Sequence, residues 1–178
     1  AGIDYPALRL TNATSLDAGL TIASENPVYT LGNYNTNNKK PAAILTDALT
    51  ILSSSWDDTK GALAKTSRNA SNTAVNFSFV TGDRPPSSGN YQGGLENLPR
   101  FLEYWGNANT CTIRGSMINL WDSKQATGNW SINYYEPPVR DWAFDPDLND
   151  PSKLPPATPS VLSFDRSGWQ QQHVGYID

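Results

Sequence analysis

Gly19-Leu-Thr-Ile-Ala-Ser-Glu-Asn-Pro-Val-Tyr-Thr-Leu-Gly-Asn-Tyr-Asn35, followed after a polar corner by Pro41-Ala-Ala-Ile-Leu-Thr-Asp-Ala-Leu-Thr-Ile-Leu52, decides the fold class of this chain. Its apolar runs are too short for helices and rich in β-branched residues, and turn residues such as Asn26-Pro27 and Gly32-Asn33 separate them, so they read as strands. Sliding Leu20–Tyr29 forward by 23 residues lays it over Ala43–Leu52, with Ile22 on Leu45 and Val28 on Ile51. A repeat of that length suits successive turns of a solenoid, each burying its inward side chains against the next. The expected fold is therefore mainly β: a right-handed parallel β-solenoid of few irregular turns, with a β-sandwich as the alternative.

Working outward, the chain is expected to be a single domain over its 178 residues. Residues 1–18 form a lead-in with a first strand at Ala7–Leu10, residues 19–136 the solenoid body, and residues 137–178 an extended carboxy-terminal wrap. Val75, Phe77 and Phe79 alternate with polar residues and predict a strand with one face in the core. Leu95, Leu98, Phe101, Leu102 and Trp105 recur at three- and four-residue steps, which predicts one amphipathic helix near 97–105 packed on the body. Thr110–Trp121 returns to strand, and Leu20, Ile22, Val28, Ile44, Ile51, Val75, Phe77, Phe79, Ile113, Ile118 and Leu120 are expected to point inward. Asn33–Pro41 forms an exposed corner, and Ser160–Phe164 with Trp169 supplies a last strand or anchor.

Charged residues make up only 17% of the chain and the net charge is −4, so no basic field is available for nucleic acid or an anionic membrane surface. No apolar run approaches the roughly 18 residues of a membrane span, and the chain reads as a processed product or an excised part of something longer. Cys111 is the single cysteine and is expected to be a small buried apolar residue.

Chemistry-bearing patterns are few. Asp145, Asp147, Asn149 and Asp150 have the opening spacing of a calcium loop, although Asp150 stands where that loop requires glycine. Carboxylates for glycan cleavage are available in Asp57-Asp58, Glu96, Glu103 and Asp122, none in a recognisable catalytic motif. His173 is the single histidine and no nucleophile elbow accompanies it, so no cofactor other than calcium is expected and the chain reads as a non-enzyme. Aromatic residues beside amides suit stacking on sugars or a protein interface, and Trp56, Tyr91, Trp130 and Tyr135 are the expected lining of a ligand groove. Asn12, Asn69, Asn76 and Asn129 match the glycosylation acceptor pattern, as chance matches do in an Asn- and Ser-rich chain.

Four blocks carry a family likeness: Gly19–Trp56, Gly94–Glu103, Gly115–Leu120 with Gln125–Gly128, and Pro137–Pro156. Together they resemble the carboxy-terminal region of bacterial PilX-like pilus assembly proteins. The resemblance implies an extracellular or cell-surface module beside type IV pilus machinery and supplies no catalytic residues. The expected function is a non-catalytic structural or interaction module of a pilus or fibre, with other copies or surface components as partners. A carbohydrate-binding or carbohydrate-cleaving protein is the alternative, with glycans as the ligand.

Overall fold

A short apolar run of alternating side chains forms a stable strand only when a neighbour completes its hydrogen bonds, and here each strand finds that neighbour one visit later in the chain. The computed structural model describes residues 6–89, 91, 97–106 and 108–159. The elements expected at Ser160–Phe164 and Trp169, and also Glu96 and His173, lie outside the described residues.

Among the described residues eleven strands form three small sheets. The first contains β1 (Leu8–Leu10), β3 (Val28–Leu31), β5 (Leu49–Leu52) and β8 (Pro99–Arg100), in that order. The second runs β2 (Leu20–Ser24), β4 (Ala42–Thr46), β7 (Ser78–Asp83), β10 (Met117–Asp122). The third runs β6 (Thr73–Asn76), β9 (Thr110–Arg114), β11 (Val139–Ala143). Every pairing between these strands is parallel.

Register stacks like on like. Ile22, Ile44, Phe79 and Met117 stand side by side across the second sheet. Tyr34, Val75, Ile113 and Trp142 do so across the third, where Tyr34 joins by a single parallel bridge. The core holds Val28, Ile44, Leu49, Ile51, Phe77, Phe79, Phe101 and Trp105. The pairing of Ile22 with Ile44 is one residue shorter than the 23-residue step, which had set Ile22 on Leu45.

The fold-class expectation is corrected on several counts. The described chain is mainly β, in three small parallel sheets rather than a solenoid with a packed helix and an extended wrap, and the uniformly parallel pairing also removes the sandwich. No α-helix occurs among the described residues; 97–105 instead holds the two-residue strand β8 and extended chain. Pro99 inside that run cannot donate a helical hydrogen bond. Phe101, Glu103 and Trp105 are buried while Leu102 and Tyr104 are half-buried, a period of two that the carboxylate at 103 disguised. The segment after β11 forms two short 3-10 turns, Pro146–Asn149 and Pro151–Lys153, then reaches back to the first layers, where the Thr21 hydroxyl donates to the Pro156 carbonyl.

Three residues expected in the core are exposed. Leu20 holds an inward register position beside Ala42, but among the described residues β2 is an edge strand with no further strand beyond it. Ile118 and Leu120 fail for a different reason: Met117 pairs with Phe79, which gives Met117 the inward phase and turns Ile118 outward, since a one-residue shift reverses a strand's faces. The Asn33–Pro41 corner is only partly exposed, because Asn35 is buried with φ of 55° and bonds to the Lys40 and Asn76 carbonyls. No described helix is long and apolar enough to cross a membrane.

Candidate functional site

Two surfaces and two buried carboxylates stand out. The carboxylates are structural. Asp47 directly follows β4 and is buried, with Oδ1 accepting from the Lys124 backbone N–H and Oδ2 from those of Gln125 and Ala126, so one side chain holds the turn after β10. Glu103 is fully buried, with Oε2 accepting the Ser53 N–H at 2.7 Å and Oε1 the Ser53 hydroxyl at 2.6 Å. Burial lifts the Glu103 carboxyl above its ordinary range, against the pull of the Ser53 bonds and of Arg68. The remaining carboxylates considered for glycan cleavage are dispersed: Asp57 caps the 3-10 turn Asp58–Lys60, Asp58 pairs with Arg9 at 2.8 Å, and Asp122 is exposed on β10. Cys111 is buried, and burial pushes its thiol up to about 12.

The calcium-loop residues meet ammonium groups instead of one another. Lys39 lies 2.7 Å from both Asp145 and Asp147, and Lys153 lies 2.9 Å from Asp147. Asp145 and Asp150 accept from the backbone N–H groups of Asp147 and Ser152, capping the two 3-10 turns, and Asn149 is exposed. Among the described residues no three His, Cys, Asp or Glu side chains are grouped to hold a metal ion.

The first surface is a groove of about 520 Å³. Tyr91, Asn129, Ser131, Asn133, Tyr135 and Arg140 contribute to its lining. Two of the four expected ligand residues meet there, Tyr91 and Tyr135. Tyr91 is exposed, and its carbonyl takes the Trp130 N–H at 2.7 Å. Tyr135 is buried and donates its hydroxyl to Asn97 Oδ1 at 2.6 Å. Trp130 lies behind them, buried and parallel to the Tyr134 and Tyr135 rings, with the Arg100 guanidinium over its own ring. Trp56 is elsewhere, half-buried and donating its indole N–H to Asp58. The amide of Asn133 and the guanidinium of Arg140 were not among the expected site residues, and Asn129 stood only as a glycosylation-acceptor match. Their spacing around Trp130-Ser-Ile-Asn-Tyr-Tyr135 was the available signal, since a loop rich in amides between aromatics is built for polar contacts.

The second surface is the pair of terminal layers. At one end Leu8 and Leu20 occupy inward register positions beside Val28 and Ala42, yet are 41% and 39% exposed. At the other, Met117 and Trp142 occupy the inward positions beside Phe79 and Ile113 and are only half-buried, flanked by exposed Ile118 and Phe144. Among the described residues β1 and β2 lack a partner on one edge, and β10 and β11 on the opposite edge. Comparisons of the chain with family models, with curated proteins and with solved structures give no match.

Proposed function

We propose that this chain is a non-catalytic interaction module of a bacterial surface fibre, associating end to end with further copies of itself. The observation that carries the reading is that both terminal layers leave inward-register apolar side chains incompletely covered, Leu8 and Leu20 exposed at one end and Met117 and Trp142 half-buried at the other. Each end also presents strands with no strand partner on one edge among the described residues, and such edges accept a parallel neighbour. The last layer of one copy thus offers the first layer of the next what an internal layer offers its successor. Such a contact is head-to-tail, so it repeats from copy to copy and builds an open fibre when its rotation does not close a ring. The low charge of the chain opposes this little, and its likeness to PilX-like proteins supports a surface location and a pilus partner. The dispersal of Asp57, Asp58, Glu103 and Asp122 into structural or solvated roles supports the non-catalytic part.

Sedimentation velocity over a range of protein concentrations tests the reading. The expected result is a concentration-dependent series of oligomers. Leu20→Lys blocks one end and Ile118→Lys the other, so each variant alone stays monomeric. Mixed, they form a one-to-one dimer and nothing longer. A wild-type chain monomeric at every concentration, or a mixture no larger than its components, overturns it.

A further inference from the structure

The groove beside Trp130 is independent of the terminal apolar side chains, and its chemistry points to a small polar ligand. We infer that it binds an acidic oligosaccharide, with Arg140 facing a sugar carboxylate and Tyr91 stacking on a sugar ring. Three observations carry this. Tyr91 presents 49% of its surface to solvent at the groove, while the Trp130 N–H bond to its carbonyl fixes the backbone beneath it, so an aromatic face is offered on a held support. Asn129 and Asn133 line the same groove, and their side-chain amides make no hydrogen bond to any described residue, which leaves paired donors and acceptors of the kind sugar hydroxyls match.

The third is charge. No Asp or Glu contributes to the described lining, and Arg140 is the single cation in it. Arg140 lies with its guanidinium 5.1 Å from the Trp142 ring centre and has no ion pair among the described residues. A guanidinium already oriented on an aromatic face, with no ion pair to a described carboxylate, is prepared for a bidentate carboxylate from outside.

The test titrates the full chain, at concentrations below any self-association, with short polygalacturonate oligomers and with the same oligomers after reduction of their carboxyls to alcohols. Calorimetry reads the affinity. The acidic oligomers should bind at least about tenfold more tightly than the reduced ones, the scale of one charge-assisted bidentate contact. Arg140→Gln should erase that difference, and Tyr91→Ala should weaken both ligands by about tenfold. Asn133→Ala, at an exposed position, gives a second variant should Arg140→Gln fold poorly, and should weaken both ligands. Equal affinity of the wild-type chain for acidic and reduced oligomers, binding of neither, or binding unchanged in Tyr91→Ala and Asn133→Ala each overturns the inference. Oligomer size plays no part in these readouts, so they stand whether or not copies assemble end to end.

Discussion

Glu103 grips Ser53 with both carboxylate oxygens, taking its N–H at 2.7 Å and its hydroxyl at 2.6 Å, fifty positions away along the chain. The Ser53 oxygen in turn accepts the N–H groups of Ser55 and Ser71, so one buried acid organises three stretches of backbone. Truncation to Glu103→Ala leaves a buried N–H and hydroxyl unpaired and should cost about 2 kcal/mol in urea unfolding. The carboxyl is raised from its ordinary 4.5 by burial, so the folded chain holds this proton more tightly than the unfolded chain does. Its contribution is complete below pH 4.5 and is lost as pH rises through the raised value. Wild-type stability should therefore decline with rising pH in that window more steeply than that of Glu103→Ala.

Asp47→Asn should be destabilising although it preserves shape. Both oxygens of Asp47 accept backbone N–H groups, Oδ1 from Lys124 and Oδ2 from Gln125 and Ala126, so the NH2 of an asparagine must face a donor whichever way it turns. The expected loss is about 2 kcal/mol. Hydrogen exchange should rise first at residues 123–126, and an unchanged exchange pattern would count against the anchoring role.

Gly115→Ala should prevent normal packing. A Cβ there would lie 2.0 Å from the Phe77 carbonyl oxygen and 2.6 Å from its carbon, backbone atoms fixed between β6 and β7. The cost is about 3 kcal/mol or more, read as a fall in melting temperature. Gly128→Ala, whose added Cβ would meet no described atom within 4 Å, is the matched control and should leave stability unchanged.

Acid should release the segment after β11 before it unfolds the sheets. Hydrogen bonds from Lys39 and then Lys153 hold the Asp147 carboxyl down to about 2 from its ordinary 3.8. A depressed carboxyl stabilises fully above the unfolded value and ceases to as pH falls through the folded one, which sets the window between pH 3.8 and about 2. Hydrogen exchange corrected for intrinsic rates should increase at 145–156 in that window while Ala42–Thr46 stays protected. In Asp147→Asn the same segment should exchange readily at every pH.

Legibility in the sequence followed a single physical condition, that polar residues stay outside. Where it held, as in Val75, Phe77 and Phe79, alternation found the buried side chains, although the one expected strand is in fact two, β6 and β7, which lie in different sheets on either side of Phe77. Where a carboxylate sat in an inward position, as at Glu103, the alternation of Phe101 and Trp105 was hidden and the three- and four-residue spacing invited a helix. The phase of β10 was illegible because Met117, Ile118 and Leu120 are all apolar, so only pairing with Phe79 chooses between its faces. Of the groove, Tyr91 and Tyr135 were legible as aromatics beside amides. Arg140 was not, because its position opposite Cys111 depends on register rather than on anything local.

The hydroxyl of Thr21 and the carbonyl of Pro156 are 135 positions apart, which ties the beginning of the described chain to nearly its end. A ribosome delivers Thr21 long before Pro156, so the nascent protein carries its first strands with that tether unmade for most of its synthesis. Local pairings such as β2 with β4 form early, at small loop-closure cost, and the tether closes last. For that interval the edge strand β2 waits without its carboxy-terminal tether, and an edge strand is where a growing chain is most open to pairing with a neighbour.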